Sequence, residues 1–314
     1  MTETPIVVSL PGQTLLDLVG PVPGVEFLLW DMSSSAPRPH LDIVVPPYMG
    51  AEAFLTALDG VTTTLVQSQS IGYDGVAEVL PSGHRFANAA TVHEPSTAEL
   101  ALALTLAAQR GIPDFVRAGD EGRWAPVRHQ SLADRRVLLV GYGGVSRAID
   151  DRLAPFEVRV DRVARSARVE TGPNGEARPV HEMRELPELL TTAEIVIVAV
   201  PLSAETTGMV DAAFLAALPD GALLVNVARG PVVDTAALIA ELNTGRLRAA
   251  LDVTDPEPLP EGHPLWACPN LLISPHVGGA STAMMPRMAA LIRRQIDRLL
   301  AGDTPENLVI DRTV

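Results

Sequence analysis

The segment that decides the fold is Arg136-Val137-Leu138-Leu139-Val140-Gly141-Tyr142-Gly143-Gly144-Val145-Ser146. Its apolar run, residues 137–140, predicts a strand that is buried on both faces, as strands of parallel sheets are. The glycine-rich turn that follows leads into a helical pattern that extends to about Pro155. A strand, a glycine turn and a helix in this order predict a βα unit of a doubly wound α/β sheet.

The turn itself has the spacing of a dinucleotide-binding fingerprint, Gly141-x-Gly143-x-x-Ser146. The first glycine permits the tight turn, and the second lets a pyrophosphate approach the backbone at the N-terminus of the helix. The third position is serine instead of glycine or alanine, so its hydroxymethyl group crowds the strand–helix contact unless its oxygen is hydrogen-bonded. A βα turn without a ligand would look similar, but the regular pattern that follows favours a dinucleotide site.

That pattern alternates strands with helices as far as residue 274. Strands are predicted over residues 157–163, 194–200, 222–227, 249–253 and 271–274, and helices over 183–190, 211–218 and 235–243. A helix over 96–109 is apolar nearly all round, so we expect it to be buried. The flanking segments predict a second, smaller α/β unit, with strands over 6–10, 27–30, 41–45 and 62–67, a short helix over 51–58, and an amphipathic C-terminal helix over 285–301.

The second strand of the βα unit, residues 157–163, decides between NAD and NADP. An NAD site has a carboxylate near the end of this strand, whereas the 2′-phosphate of NADP is bound by arginine. Ala164 occupies the expected end position, and Arg165 and Ser166 follow it. Asp161 lies further back and is the alternative that would favour NAD. We therefore predict NADP as the preferred cofactor, with NAD as the alternative.

Three ionisable residues follow apolar runs later in the chain, each beside a glycine or a proline. They are Arg229 in Val-Asn-Val-Ala-Arg-Gly, Glu257 in Asp-Pro-Glu-Pro-Leu-Pro, and His276 in Ser-Pro-His-Val-Gly-Gly. Taken singly, each has an ordinary structural explanation. Because ligands of open α/β sheets bind outside the carboxyl ends of the strands, the three together predict an anion clamp, an orienting carboxylate and a proton donor. Asp252, at another strand end, is either a contact for a cofactor amide or a simple cap.

Composition limits the other function classes. A chain of 314 residues predicts two domains, and its net charge of −14, from 24 basic and 38 acidic residues, argues against general binding to nucleic acid or to anionic membranes. Cys268 is the only cysteine, which excludes an intrachain disulfide and a cysteine-based metal site, so we expect no metal. The N-terminus lacks a basic segment followed by a long apolar one, and the sequence therefore predicts a cytoplasmic protein without a secretory signal.

The three blocks around Arg229, Glu257 and His276, in this order after Gly141-Tyr-Gly143, resemble the D-isomer-specific 2-hydroxyacid dehydrogenases. The resemblance is strongest from about residue 95 to residue 282. It implies a Rossmann-type dinucleotide-binding domain over residues 97–282 and a smaller, flavodoxin-like α/β substrate domain built from residues 1–96 and 283–314. It also implies a cleft between the domains and a homodimer.

The resemblance implies a role for each site residue. Arg229 would hold the carboxylate of a small 2-oxo or 2-hydroxy acid, His276 would exchange a proton with its carbonyl, and Glu257 would hydrogen-bond the imidazole. The loop of Ser70, Ile71 and Gly72 would bind the substrate carboxylate, together with Arg229 and His276. The implied cofactor contacts are Gly141, Tyr142, Gly143, Gly144, Val145, Ser146, Arg165, Ser166, Val200, Pro201, Thr206, Val227, Ala228, Arg229, Asp252, His276 and Gly278.

Two positions depart from the family pattern. Ser70 replaces the first glycine of the substrate loop, and Leu100 stands where the family often has histidine. The missing acid after the second strand resembles the NADPH-using glyoxylate and hydroxypyruvate reductase branch. We therefore predict an oxidoreductase that transfers a hydride between NADP(H) or NAD(H) and an acid such as glyoxylate, hydroxypyruvate or pyruvate. The alternative is a dinucleotide-sensing regulatory protein of the same fold with little turnover.

Overall fold

The computed structural model describes residues 5–313, without the side chains of residues 51 and 52. Residues 1–4, where the segment used to predict the absence of a secretory signal begins, and residue 314 lie outside this range. The described chain forms two compact units, one of residues up to His93 together with those from Ser281 onward, and one of Glu94–Ala280. None of the helices formed by the described residues has the length and apolarity that a membrane span requires.

The strands of the described chain, in order, are β1 (Ile6–Leu10), β2 (Val25–Leu29), β3 (His40–Val44), β4 (Thr62–Gln67), β5 (Arg85–Ala87), β6 (Arg136–Val140), β7 (Arg159–Ala164), β8 (Arg168–Thr171), β9 (Ala177–Glu182), β10 (Ile195–Val198), β11 (Leu223–Asn226), β12 (Arg248–Leu251), β13 (Leu271–Ile273) and β14 (Leu308–Asp311). The α-helices are α1 (Gln13–Val19), α2 (Ala51–Phe54), α3 (Val76–Val79), α4 (Glu94–Arg110), α5 (Ile112–Asp120), α6 (Gly144–Leu153), α7 (Leu186–Leu190), α8 (Ala212–Ala217), α9 (Thr235–Thr244) and α10 (Met284–Ala301). Short 3-10 helices lie at Leu55–Leu58, Ala154–Phe156, Met183–Glu185, Gly230–Val232 and Pro264–Ala267.

The unit of Glu94–Ala280 contains a sheet in the order β13-β12-β11-β10-β6-β7-β9-β8. Its strands are parallel except for the β8–β9 pair, which is an antiparallel hairpin. Along β6 the side chains alternate, so that Leu138 and Val140 enter one apolar cluster and Val137 and Leu139 enter another. Helices α7, α8 and α9 contribute to the first cluster, and α4 and α6 to the second. Helices therefore cover both faces, as in a Rossmann-type sheet, and the predicted fold class is confirmed.

The other unit contains a sheet in the order β14-β5-β4-β3-β1-β2. The segment β2-β1-β3-β4-β5 is parallel throughout, and its order is that of flavodoxin-like folds. The C-terminal strand β14 pairs with β5 in the antiparallel direction. Helices α1 and α10 pack against one face, where Leu15, Met288 and Ile292 are buried. Both ends of the chain thus contribute to one apolar core.

Candidate active site

The glycine-rich turn after β6 has the backbone that a pyrophosphate site requires. Gly141 has a φ angle of +88°, and a Cβ there would lie 2.7 Å from the carbonyl oxygen of Ala199 and from a methyl group of Val200. Only glycine fits this position without moving the segment that follows β10. A Cβ at Gly143 would meet no atom within 4 Å, so the backbone there is open to a ligand.

Helix α6 begins at Gly144 with no side-chain cap from its N-cap residue Gly143. The N–H groups of Gly144, Val145 and Ser146 find no acceptor among the described residues, and the first hydrogen bond runs from Arg147 N–H to the Gly143 carbonyl. Unpaired N–H groups at a helix N-terminus bind phosphate oxygens through their partial positive charge. The residues of this turn therefore fit the pyrophosphate of a dinucleotide.

Ser146, the departure from the fingerprint, is 1% exposed. Its Oγ finds no hydrogen-bond partner in the described part of the chain. The structure accommodates the hydroxymethyl group at the strand–helix contact without the hydrogen bond that would offset its burial. An unsatisfied buried hydroxyl costs about 1–3 kcal/mol.

At the end of β7, Arg165 and Ser166 are exposed. Arg165 makes no hydrogen bond or ion pair to any described residue, which leaves its guanidinium available to a phosphate. Arg168 differs, because its three nitrogens bond to the Glu170 carboxylate at 2.6 Å, the Tyr142 carbonyl at 2.9 Å and the Ser166 carbonyl at 3.3 Å. Arg168, the first residue of β8, thus joins that strand to the glycine-rich turn.

Asp161, the residue that would favour NAD, lies in the interior of β7 opposite Leu138 of β6. Its carboxylate accepts a hydrogen bond from Arg136 at 3.0 Å. The strand ends three residues later, at Ala164. Asp161 is therefore paired with Arg136 inside the strand, and the strand end at Ala164 carries no acid.

A buried ion cluster, which the sequence did not reveal, supports the glycine-rich turn. Asp150 on α6 is 2% exposed and accepts hydrogen bonds from Tyr142 Oη at 2.5 Å and from two nitrogens of Arg162 at 2.6 and 2.9 Å. Arg178 on β9 approaches the same carboxylate at 3.1 Å. Burial, together with the hydrogen bond to Asp150, raises the pKa of Tyr142 above its usual value. The side chain of Tyr142, in the middle of the turn, is thereby fixed.

The segment with Arg229 follows β11, and its backbone is held by Asn226. The Asn226 side chain donates to the Arg229 carbonyl at 3.0 Å and accepts from the Ala228 N–H at 3.0 Å. A Cβ at Gly230 would lie 1.8 Å from the Thr254 carbonyl oxygen. The glycine after Arg229 therefore lets the segment from β11 pack directly against the loop that follows β12 and carries Glu257.

His276 follows β13, the strand next to β12, and its Nδ1 contacts the Glu257 carboxylate. Both side chains are about one-third exposed, at 30% and 36%. The contact through Nδ1 fixes the ring and leaves Nε2 as the nitrogen that can exchange a proton with a ligand. The structure thus brings together the histidine and the carboxylate that the sequence predicted as a pair.

Asp252 organises the loop that carries His276. Its carboxylate is 3% exposed and accepts hydrogen bonds from Ser274 Oγ at 2.6 Å, Val277 N–H at 2.9 Å and Gly278 N–H at 2.8 Å. Its carbonyl accepts from the His276 N–H at 2.7 Å. His276 has a φ angle of +52°, a left-handed conformation that needs such support. The cofactor contact implied for Asp252 stays a prediction.

The other predicted cofactor residues of this unit follow neighbouring strands. Val200, Pro201 and Thr206 come after β10, and Thr206 Oγ1 donates to the Pro201 carbonyl at 2.7 Å. Val227 and Ala228 are buried directly after β11. Because β6, β10, β11, β12 and β13 are parallel, all these residues lie along the carboxyl-terminal edge of one sheet.

The predicted substrate loop lies in the other unit, after β4. Its Ser70 N–H donates to Ser68 Oγ at 3.0 Å. The N–H groups of Ile71 and Gly72 find no acceptor among the described residues. Two of the three backbone donors of this loop are therefore free to bind an anion.

The parallel sheet, the glycine-rich turn and the paired histidine and glutamate define a dinucleotide-dependent oxidoreductase as the class of protein. Residues 102–278 match the sequence model of a family described as D-isomer specific 2-hydroxyacid dehydrogenase, NAD binding domain. A glyoxylate reductase of Thermofilum pendens is 33% identical over 78% of this chain and 74% of its own length. The human glyoxylate reductase/hydroxypyruvate reductase is 31% identical over 87% of this chain and 86% of its own length.

Among solved structures, a D-isomer specific 2-hydroxyacid dehydrogenase from Xanthobacter autotrophicus Py2, in complex with NADPH and MES, is 31% identical with a TM-score of 0.78. The alignment covers 98% of each chain. The protein therefore belongs to the D-isomer specific 2-hydroxyacid dehydrogenase family and is similar to its glyoxylate and hydroxypyruvate reductases. It is an NAD(P)-dependent oxidoreductase, as the sequence predicted.

Proposed function

We propose that the protein reduces small 2-oxo acids, such as glyoxylate, hydroxypyruvate or pyruvate, to D-2-hydroxy acids with NADPH as the preferred cofactor. The observation that carries this proposal is the contact between Glu257 and His276 Nδ1 at the edge of the sheet where the glycine-rich turn lies. A protein that only senses a dinucleotide has no need of an oriented proton donor. The unit of Glu94–Ala280 would be the dinucleotide-binding domain, and the other unit the substrate domain.

In this mechanism the nicotinamide supplies the hydride, and residues of the chain do the rest. Arg229 binds the substrate carboxylate and polarises the neighbouring carbonyl. His276 donates a proton from Nε2 to the carbonyl oxygen and takes it back in the oxidation direction. Glu257 stabilises the imidazolium and fixes which ring nitrogen carries the exchangeable proton. The N–H groups of Ile71 and Gly72 bind the substrate carboxylate.

The preference for NADPH is supported by Arg165. Its guanidinium has no partner among the described residues, and it follows a strand that ends at Ala164 and not at an acid. A dianionic 2′-phosphate would form charge-assisted hydrogen bonds with this arginine and with the Ser166 hydroxyl. With a net charge of −14, the protein attracts anions only through such local groups.

We also propose a homodimer, for which the surface after α4 provides support. Ile112, Val116, Trp124 and Val127 are exposed, and Trp124 is 95% accessible. Apolar side chains gathered in one stretch at this level of exposure are typical of a surface that another chain covers. Sedimentation analysis tests the proposal, since Trp124→Asp should shift the molecular mass towards that of one chain. The predicted cytoplasmic location stays a prediction.

The catalytic proposal is tested by following NADPH oxidation with a panel of 2-oxo acids. We expect saturable turnover with at least one of glyoxylate, hydroxypyruvate and pyruvate, and a D-configured product where the product is chiral. NADH in place of NADPH should give a lower kcat/KM. Tight NADPH binding without turnover on any member of the panel would instead support the sensor function.

A further inference from the structure

Asn88 occupies a position from which it controls the direction of the substrate loop. It follows β5 and is 7% exposed, and both the nitrogen and the oxygen of its side-chain amide form hydrogen bonds. Nδ2 donates to the Ile71 carbonyl at 2.8 Å, and Oδ1 accepts from the Ala90 N–H at 3.2 Å. Asn88 lies outside the sequence motifs around the glycine-rich turn, Arg229, Glu257 and His276.

The hydrogen bond to the Ile71 carbonyl has a consequence for Gly72. In a trans peptide the C=O of one residue and the N–H of the next lie in one plane and point in opposite directions. The Ile71–Gly72 bond is trans. When Asn88 holds the carbonyl of Ile71, it therefore turns the Gly72 N–H away from the segment after β5.

The preceding peptide is fixed in the same way. The Ala89 N–H donates to the Ser70 carbonyl at 2.9 Å, and the Ser70–Ile71 peptide is also trans. The N–H of Ile71 is therefore directed by the same segment that directs the N–H of Gly72. Two neighbouring donors without acceptors among the described residues are held in one arrangement before an anion arrives.

The backbone of Asn88 is itself anchored on both sides. Its N–H donates to the Asn307 carbonyl at 3.1 Å, and its own carbonyl accepts from the buried side chain of Gln67 at 3.0 Å. Because Asn88 is itself hydrogen-bonded on both sides, the two peptide planes of the loop are oriented before substrate binds. Preorganised donors bind an anion more strongly than donors that must first be oriented.

We propose that Asn88 is a positioning residue for the substrate carboxylate, acting through the Ile71–Gly72 peptide plane. This proposal rests on the proposed function, because it takes the anion bound by Ile71 and Gly72 to be the carboxylate of a 2-oxo acid. In this role Asn88 acts on the backbone of the loop and not on the reacting carbonyl or the cofactor. The carboxylate does not change its charge during the reaction, so its binding is the same in the ground state and the transition state.

The test is the pair of substitutions Asn88→Asp and Asn307→Asp. Each replaces one side-chain amide by a carboxylate of the same shape and removes one N–H donor to a backbone carbonyl. For Asn88 that carbonyl belongs to Ile71, and for Asn307 it belongs to Ala90, at 3.0 Å. The two variants are therefore matched in chemistry and neighbourhood, and they differ in whether the substrate loop loses its support.

We expect Asn88→Asp to raise KM for the 2-oxo acid by about 10- to 100-fold, because the Gly72 N–H then loses its charge-assisted hydrogen bond to the substrate carboxylate. The value of kcat should change by less than about threefold. The inhibition constant of oxamate, a carboxylate that is not reduced, should rise in parallel. The dissociation constant of NADPH should stay at the wild-type value. Asn307→Asp should leave all four quantities close to wild type.

Two results would overturn the proposal. One is an unchanged KM and oxamate constant in a folded Asn88→Asp protein. The other is an equal rise in both variants, which would mean that general loosening of the segment and not the peptide plane is responsible. A wild-type protein that binds NADPH but neither reduces a 2-oxo acid nor binds oxamate would instead refute the proposed function, and with it the carboxylate site.

Discussion

The substitution Asp252→Asn should detach the loop that carries His276 while changing only one atom. The amide oxygen can take the place of Oδ1 and keep the hydrogen bonds from Ser274 and Val277. The amide nitrogen then takes the place of Oδ2 and faces the N–H of Gly278, which lies at 2.8 Å from Oδ2 in the wild-type protein. The side-chain NH₂ group and the Gly278 N–H, both hydrogen-bond donors, would then face each other, and neither would have an acceptor there.

The magnitude follows from the two losses. A hydrogen bond to a buried charged acceptor contributes about 1.5–3 kcal/mol, and a buried donor left without a partner costs about 1–3 kcal/mol. Together they place a penalty of about 2.5–6 kcal/mol on the wild-type loop conformation. Since 1.4 kcal/mol is a factor of ten, the loop equilibrium shifts by about 10²- to 10⁴-fold. We expect kcat to fall by about 10²-fold.

The measurements are steady-state turnover, urea unfolding and hydrogen exchange at the amides of Val277 and Gly278, which should be deprotected. Ser274→Ala is the matched control, because it removes one hydrogen bond to the same carboxylate without leaving a buried N–H unpaired. Its turnover should fall by about tenfold or less. Wild-type turnover and exchange in the Asp252→Asn protein would refute the view that this carboxylate holds the loop.

Three further outcomes are expected. His276→Ala should lower kcat by about 10²- to 10⁴-fold, because a general acid contributes this much to the rate. The dissociation constant of NADPH in fluorescence titration should not change, and turnover at the wild-type rate would refute the assigned role. Arg165→Asp should move the ratio of kcat/KM for NADPH and NADH towards NADH, and an unchanged ratio would place the 2′-phosphate elsewhere. Asp150→Ala should lower the free energy of unfolding by about 3–5 kcal/mol in urea titrations, because it leaves the nearly buried guanidinium of Arg162 without its carboxylate, while Arg178 keeps Asp151 and Glu176. Tyr142→Phe should cost less, and equal small effects would contradict a tightly coupled cluster.

Apolar strands of the large sheet could be predicted closely because burial on both faces leaves a continuous apolar run. The run 136–140 became β6 without change, but the predicted strand 194–200 became Ile195–Val198. Strand ends are set by where hydrogen-bond pairing stops, and apolarity continues beyond that point. No strands were predicted for the β8–β9 hairpin, because its residues mix charged and apolar side chains and one strand contains Pro179.

The residues of the candidate site also fall into two groups, those that the sequence predicts and those that only the fold reveals. The glycine motif and the Arg229, Glu257 and His276 blocks are local patterns at strand ends, so they can be found from the sequence. The support behind them is not local. Asp150 meets charged partners from β7 and β9, and Asn88 reaches back 17 residues to Ile71. Nothing in an isolated aspartate or asparagine indicates which distant group it will meet, so these residues emerged only from the fold.

His276, the proposed proton donor, follows β13, which lies at one edge of its sheet. Strand β13 spans Leu271–Ile273 and pairs with β12 alone among the described strands, and all three of its residues are half-buried. An edge strand of this kind unfolds before the interior strands of the sheet, since few hydrogen bonds have to break to release it. On heating, the enzyme should therefore lose activity several degrees below its calorimetric unfolding transition. The activity should return on cooling if the interior strands have stayed folded.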